Sequence, residues 1–287
     1  MSFAPVLFVA LWSTGFVGAK YGLPYADPFI FLAIRVAIAA LLLFLVSLFL
    51  KGPTRLTKPE MKLSAVVGLT LHGAYLGGVF YGISKGVPAG IAATVTSLQP
   101  ILVSVIGVRV LKEPLALRQM VGLLCGFGGV VLVLSPTFTK AHSMTVQGVI
   151  AVLIALAGST TATLVQKKSG SAVPLVPGTA FQYFVAAILF LGAATATRGI
   201  SIEWTGKFIF ALSWLVLALS VGAILILLTL LKHGSASKVS SLLYLVPPAT
   251  AVEAYFLFNE KLSGIDFVGI GLTALGVYLV IKKKSSV

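Results

Sequence analysis

The chain has 287 residues, of which 58% are hydrophobic and only 10% are charged, and its mean hydropathy is +1.07. Soluble domains carry about 25% charged residues, so this composition excludes an ordinary water-soluble fold and indicates a protein of the lipid bilayer. The net charge of +14 does not indicate nucleic-acid binding, because the Lys and Arg residues stand singly between hydrophobic runs. The single cysteine, Cys125, excludes a disulfide framework within one chain.

Ten hydrophobic segments are each long enough to cross a membrane as a helix, which takes about 20 mostly apolar residues. In chain order, the predicted helices cover residues 3–20, 28–50, 63–83, 88–110, 115–134, 146–166, 177–197, 208–231, 236–258 and 264–281. The connections between them are short, and none is long enough for a soluble domain. The first segment lacks a positively charged start, so we interpret it as a retained helix and not as a signal peptide.

The sequence repeats itself with a shift of 147 residues and without gaps. The aligned pairs include Lys20 with Lys167, Pro100 with Pro247, Glu113 with Glu260, and Gly129 with Gly276. Each half, residues 1–140 and 141–287, therefore holds five predicted helices. Because five is odd, the second copy enters the membrane from the opposite side. The predicted fold is an all-α membrane protein with ten transmembrane helices in two inverted five-helix repeats.

Basic residues predict the orientation. With the N-terminus inside, the inner segments hold 13 Lys and Arg residues and the outer segments hold six. The excess predicts that both termini are cytoplasmic. We expect the protein to lie in the cytoplasmic (inner) membrane.

A proline interrupts the middle of two predicted helices. Gln99 and Pro100 lie within the fourth helix, and Pro247 lies at the matching point of the ninth. Proline frees a backbone carbonyl one turn earlier and permits a kink. Interrupted helices at matching places in two halves point to a substrate site. Gln99 either offers a donor and an acceptor to the substrate or bonds a neighbouring helix, and both interpretations stay open.

Aromatic residues add candidates for the same site. Tyr75 and His72 share one face of the third helix, Tyr244 lies one turn before Pro247, and Trp12 lies in the first helix. Such rings either line a cavity or pack within the bundle. His72 is a candidate for substrate binding or proton transfer, and a hydrogen-bonded structural histidine is the alternative. The predicted substrate-binding residues are Trp12, His72, Tyr75, Gln99 and Tyr244.

The charged residues well inside the hydrophobic segments, away from their ends, are Arg35, Lys238 and Glu253. Ions at membrane depth are costly unless they are paired, but the sequence does not say which of them pair. Glu253 is a candidate for proton coupling, with a structural role as the alternative. Glu113 and Glu260 lie in turns beside helix starts, where a carboxylate favours the helix dipole, and we interpret both as structural.

Glycines are concentrated in the fifth and tenth helices, in the run Gly126–Gly129 and at Gly269, Gly271 and Gly276. Small residues allow membrane helices to approach closely. No strand precedes these glycines, so they do not form a dinucleotide-binding motif. The sequence has no ATP-binding motif, zinc-ligand spacing or nucleophile triad. We therefore expect no catalytic residues, no cofactor and no metal site.

The duplicated pattern from Ala89 to Gly129 and from Ala236 to Gly276, with Leu11-Trp12-Ser13 and Pro28 to Arg35, resembles the EamA-type branch of the drug/metabolite transporter superfamily. The resemblance covers essentially the whole chain. It implies two inverted five-helix repeats, a cavity lined mainly by helices 1, 3, 4, 6, 8 and 9, and peripheral helices 5 and 10 that are linked to dimerisation in some relatives. It also implies metabolite export, and bacterial aromatic amino acid exporters are similar in size and layout. The matching residues Pro100, Glu113, Pro247 and Glu260 are scaffold positions.

We therefore predict a transporter, not an enzyme, that exports small organic metabolites by alternating access, as a monomer or homodimer. Amino acids, with aromatic or bulky apolar ones first, are the preferred substrates. Cationic drugs would need a carboxylate such as Glu253, and nucleotide sugars would need Arg35 and Lys238. A membrane sensor or enzyme is the alternative without transport. The sequence leaves open the direction of transport and any coupling to protons.

Overall fold

The structure is a computed structural model, and it is almost entirely helical. It describes residues 3–50, 52, 54–110, 112, 117–138, 144–169, 173–223, 226, 245–260 and 262–281. The helices are α1 (Phe3–Gly22), α2 (Pro28–Phe49), α3 (Lys58–Ser84), α4 (Ala89–Val110), α5 (Leu117–Phe138), α6 (Val146–Ser169), α7 (Leu175–Ala196), α8 (Gly206–Ala223), α9 (Val246–Phe258) and α10 (Gly264–Ile281). Within these ranges the β-structure is limited to one bridge between Ala26 and Ile202.

Length and apolar composition identify a multi-pass membrane protein. Six of the described helices, namely α2, α3, α4, α6, α7 and α8, are long and apolar enough to cross a membrane. Among the residues whose side chains the structure describes, α5 and α10 add apolar stretches at Leu117–Leu132 and Gly264–Leu279. Large apolar side chains stand on the outside of the bundle, with Phe49 88% and Phe256 78% exposed. Hydrocarbon solvates such a surface, whereas water does not.

Several predicted boundaries differ from the observed ones. The third helix begins at Lys58, not at residue 63, because Thr57 and Glu60 form a capping box in which the Thr57 amide donates to Glu60 Oε2 at 2.7 Å. The helix α5 extends to Phe138, four residues past its predicted end. Residues 236–244 of the predicted ninth helix and 227–231 of the eighth lie outside the described residues.

Glycines at matching positions of the two halves make reciprocal contacts between α5 and α10. A Cβ atom placed on Gly129 would lie 2.5 Å from the carbonyl oxygen of Gly269, and one placed on Gly276 would lie 2.5 Å from the carbonyl oxygen of Gly122. The shift of 147 residues exchanges the two contacts. Reciprocity of this kind is what a two-fold axis produces. The prediction that small residues let these helices approach closely is confirmed.

Both halves also carry a π-helical segment, at Gly68–Leu76 in α3 and at Trp214–Ala223 in α8. The same shift places residues 68–76 on residues 215–223. A π-helical turn bonds each amide one residue further back than an α-helix does, and such turns are frequent at functional sites. Each segment has one face in the interior of the bundle, where His72, Gly73 and Ser220 are buried.

One end of the bundle is tied by hydrogen bonds between loops. The amide of Asp27 donates to the carbonyl of Ser201 at 3.1 Å, and the amide of Ser201 donates to Asp27 Oδ2 at 3.0 Å. The amide of Glu203 donates to the carbonyl of Tyr25 at 2.7 Å. These bonds join the α1–α2 connection to the α7–α8 connection.

The glycine contacts lead to a stability prediction. In Gly129→Ala the new methyl group meets backbone of α10 that cannot rotate away, so we expect a loss of about 1–3 kcal/mol of stability. The control is Gly128→Ala on the same helix, because a Cβ there meets nothing within 4 Å. Alanine is also the better helix former, so the control should unfold at the same or a higher temperature. Thermal unfolding in detergent measures both variants, and equal effects would contradict the packing shown here.

Candidate functional site

Two adjoining cavities lie within the bundle. The larger has a volume of about 370 Å³ and the smaller about 110 Å³. Both are lined by Trp12 and Phe16 of α1 and by Leu71 and Tyr75 of α3. Small-molecule sites in proteins usually occupy about 300–1,000 Å³, so the two cavities together form a compartment of suitable size.

The larger cavity brings α2 and α7 into the site. Its polar lining includes Arg35 from α2, His72 from α3 and Gln182 from α7, and Leu219 comes from the π-helical segment of α8. The resemblance implied a cavity formed mainly by helices 1, 3, 4, 6, 8 and 9. The structure differs because α2 and α7 pack against each other beside α3, and their polar side chains reach the larger cavity.

His72 is held by α7. Its Nε2 lies 3.1 Å from Oε1 of Gln182, and its ring centroid lies 4.4 Å from that of Tyr183. Gly68 permits this contact, since a Cβ there would lie 2.7 Å from the carbonyl oxygen of Gln182. The hydrogen-bonded histidine that the sequence left as an alternative is therefore present, and His72 also lines the larger cavity.

Gln99 lies in the smaller cavity, where α4 is interrupted. A turn at Ser97 and Leu98 separates the two halves of α4, just before Pro100. Gln99 Nε2 donates to Thr163 Oγ1 of α6 and, at 3.5 Å, to the carbonyl of Ser159. The side chain thus bonds a neighbouring helix, which was one of the two interpretations, and it also lines the cavity. Pro247, at the start of the described part of α9, lines the same cavity.

The structure brings most of the predicted site residues together. Trp12 and Tyr75 line both cavities, and the Trp12 ring centroid lies 5.2 Å from that of Phe8. Tyr244 lies outside the described residues, and so does Lys238. Glu253 lines neither cavity, and its Oε1 accepts a hydrogen bond of 2.7 Å from the Ser13 hydroxyl of α1.

Arg35, Gln182 and Tyr183 line the larger cavity, and the sequence did not identify them as substrate-binding residues. One signal was available: the shift of 147 residues aligns Arg35 with Gln182, two long polar side chains at matching places in strongly apolar helices. Within the described part of the chain, no group of three or more His, Cys, Asp or Glu side chains is arranged to hold a metal ion.

Glu260 closes the bundle at the end where the loops are tied. Lys20 of α1 forms an ion pair with Glu260 Oε1, and the amide of Ala89 donates to the same oxygen at 3.2 Å. The structural role predicted for Glu260 is confirmed, although the helix start that it caps is that of α4 and not that of α10. Glu113, its counterpart, lies outside the described residues.

The cavities extend toward the opposite end of the bundle. The larger cavity is lined by Gln166 near the C-terminus of α6 and by Leu175 at the N-terminus of α7. A further cavity of about 180 Å³ shares both residues and continues to Leu63 and Ser64 of α3. The compartment thus continues away from the end that holds the Glu260 contacts.

The comparisons with known proteins agree with this arrangement. The family model described as "EamA-like transporter family" matches residues 2–135 and 146–282. The chain belongs to this family. The family and the names of its relatives indicate a membrane transporter and not an enzyme.

Among the relatives, "Uncharacterized transporter YvbV" of Bacillus subtilis (strain 168) is 30% identical over 288 residues, covering 97% of this chain and 90% of the relative. A "Probable amino-acid metabolite efflux pump" of Escherichia coli (strain K12) is 26% identical over 290 residues, covering 96% of this chain and 92% of the relative. One crystal structure is similar with a TM-score of 0.66 at 19% identity, covering 97% of this chain and 95% of that chain. That likeness shows a shared fold.

The contacts of Glu260 lead to a prediction. Glu260→Ala removes the partner of Lys20 and the cap of α4, so we expect it to cost about 1–3 kcal/mol of stability. Lys20→Ala should cost less, because Glu260 still accepts from the Ala89 amide. The double variant should lose less stability than the sum of the two single losses, since both changes remove the same ion pair.

Thermal unfolding of the three variants checks this, with Lys207→Ala as the control because Lys207 is exposed and lies outside these contacts. Additive losses in the double variant would show that Lys20 and Glu260 do not interact.

Proposed function

We propose that this EamA-like transporter exports amino acids, with aromatic and bulky apolar ones preferred, by alternating access across the cytoplasmic membrane. The observation that carries the proposal is the double cavity, in which the rings of Trp12 and Tyr75 stand between Gln99 on one side and His72 and Gln182 on the other. Aromatic walls favour an apolar ring, and the polar groups suit the amino and carboxyl ends. The relative named as a probable amino-acid metabolite efflux pump supports the same substrate class.

The proposed architecture has ten membrane-crossing helices in two inverted repeats, residues 1–140 and 141–287, with both termini cytoplasmic. Support comes from the reciprocal glycine contacts of α5 and α10 and from the π-helical segments at matching places in α3 and α8. The two ranges that match the family model, one in each half, also support it. The excess of Lys and Arg residues in the inner connections supports the orientation.

In this orientation the end closed by Glu260 faces outward and the path past Gln166 faces the cytoplasm. The arrangement described here is then inward-facing, and a solute enters from the cytoplasm. Outward opening requires the ion pair between Lys20 and Glu260 to break. The shift of 147 residues aligns Lys20 with Lys167 and Glu260 with Glu113. The interruption of α4 and the π-helical segments are the points at which the helices bend.

Transport by the purified protein in liposomes tests the proposal. We expect saturable flux of labelled tryptophan and phenylalanine, with weaker flux of threonine and alanine. Tyr75→Ala should weaken the apparent affinity for phenylalanine by roughly 3–10-fold, the equivalent of one aromatic contact, and leave alanine flux unchanged. Gln99→Ala should slow both.

Tyr255→Ala is the matched control, because Tyr255 is 52% exposed on α9 and lines neither cavity. Flux that responds to a pH gradient would direct attention to Glu253 and His72, whereas flux that does not respond indicates a facilitator. If none of the four amino acids moves through the wild-type protein, the substrate assignment is wrong, and cationic drugs and nucleotide sugars are tested next.

Labelling of single cysteines tests the topology. In a Cys125→Ser background, Lys58→Cys should react with an impermeant maleimide only in inverted vesicles, and Glu203→Cys only in intact cells. Both positions are exposed and lie at opposite ends of the bundle. The reverse pattern would place the termini outside, and labelling of both from one side would exclude the proposed number of crossings.

A further inference from the structure

Arg35 is a buried cation without an anionic partner in the described part of the chain. It lies on α2, is only 2% exposed and lines the larger cavity. The structure describes six of the seven acidic residues, and all six are engaged elsewhere or lie in connections and helix ends. For example, Glu253 accepts from Ser13, Glu260 pairs with Lys20, and Asp266 accepts from Ser263. A buried cation at membrane depth is costly, so such residues mark substrate pathways.

The guanidinium has unused hydrogen-bond donors. It carries five N–H groups, and the one hydrogen bond it makes to the described residues runs from Nη2 to Ser220 Oγ at 3.3 Å. Its Nε is buried and has no acceptor among the residues that the structure describes. The Arg35 Cζ atom lies 5.6 Å from the ring centroid of Phe80, so one face of the guanidinium rests against an aromatic ring. The Phe80 ring thereby orients the guanidinium plane, while N–H donors at its edge have no acceptor among the described residues.

We propose that Arg35 binds the carboxylate of the transported solute, which restricts the substrates to molecules that carry a free carboxylate. The inference rests on the proposed function and names the chemical class that the same site accepts. The planar fork of a guanidinium matches the two oxygens of a carboxylate, and the charge-assisted pair is stronger than a bond between neutral groups. A solute carboxylate supplies the counter-charge that the described residues do not provide.

The surroundings of Arg35 limit the charge of the solute. Gln182, its counterpart in the second repeat, lines the same cavity but is neutral and bonded to His72. Arg35 is the permanently charged side chain among the described residues that line either cavity. The site therefore holds one carboxylate, not two. The solute side chain then extends past Trp12 and Tyr75 toward Gln99.

The same charge rejects amines that lack a carboxylate. A cationic solute in this cavity faces an uncompensated guanidinium at low dielectric, where repulsion is much stronger than in water. The carboxylate that a cationic drug would need is Glu253, and that residue bonds Ser13 outside both cavities.

Competition with labelled phenylalanine for uptake into proteoliposomes tests the inference. The competitors are phenylalanine, 3-phenylpropionate, which lacks the amine, and phenethylamine, which lacks the carboxylate. With the wild-type protein we expect 3-phenylpropionate to compete and phenethylamine to compete at least tenfold less well. Thermal stabilisation of the detergent-purified protein by each compound provides a readout that does not depend on transport.

Four variants separate binding from folding. Arg35→Gln should lower the affinity for phenylalanine and 3-phenylpropionate by ~10–100-fold while leaving phenethylamine unchanged or improved, as the loss of a charge-assisted pair implies. Arg35→Lys keeps the charge but not the planar fork, and should recover part of the affinity. Ser220→Ala keeps the guanidinium and should retain the discrimination. Arg109→Gln is the control for loss of a cation, because Arg109 is exposed near the end of α4.

The outcomes are distinguishable. If Arg35→Gln transports phenylalanine with unchanged affinity and selectivity, the assignment of Arg35 is overturned while amino acid export stands. A second outcome is that 3-phenylpropionate stabilises the wild-type protein but not Arg35→Gln, while no amino acid is transported. That result supports the carboxylate site and contradicts amino acid export. If neither carboxylate binds the wild-type protein, both are overturned. If Arg35→Gln does not fold, the test rests on Arg35→Lys and on the ratio of the wild-type affinities for 3-phenylpropionate and phenethylamine.

Discussion

Hydrocarbon offers no hydrogen-bond partners, so each polar group within this bundle needs a partner in the protein or faces the cavity. Most hydroxyl groups meet that requirement locally by donating to a carbonyl three or four residues earlier, as Thr94, Thr96, Ser104, Thr160, Thr179 and Thr273 do. Longer side chains cannot do so, and they bond across helices. The pairs of His72 with Gln182 and of Gln99 with Thr163 therefore join helices beside the cavities. Arg35 has only a long bond to Ser220 among the described residues, and this leaves it available to a solute.

Small residues let the helices come close enough for those bonds to form. Gly68 brings the backbone of α3 against that of α7 at Gln182, the residue that holds His72. Gly158 does the same between α6 and α3, since a Cβ there would lie 2.7 Å from the carbonyl of Thr70. The glycines of α5 and α10 face each other within one chain, so their contacts pack helices of the monomer. The exposed faces of these two helices carry larger residues such as Leu124 and Phe127.

The helices were predictable from the hydrophobic runs in the sequence. Where a predicted helix boundary was wrong, the difference has a local cause. Charged residues before the third helix suggested a loop, yet Thr57 and Glu60 are a capping box that starts the helix there. Within the site, Trp12, Tyr75, Gln99 and Pro100 line one cavity. Gln182 was missed because a polar residue in an apolar helix needs a hydrogen-bond partner, and the sequence does not identify that partner. Tertiary packing decides that partner.

Composition, the shift of 147 residues and the family pattern were readable from the sequence because they depend on residue type and spacing alone. They determined that the chain is a helical membrane transporter built from two similar halves. Which side chains meet depends on the rotation and depth of each helix, and one residue of rotation turns a side chain by about 100°. Only the tertiary structure therefore decided that Glu260 pairs with Lys20 and caps α4, that Glu253 lies outside the cavities, and that α2 brings Arg35 to the larger one.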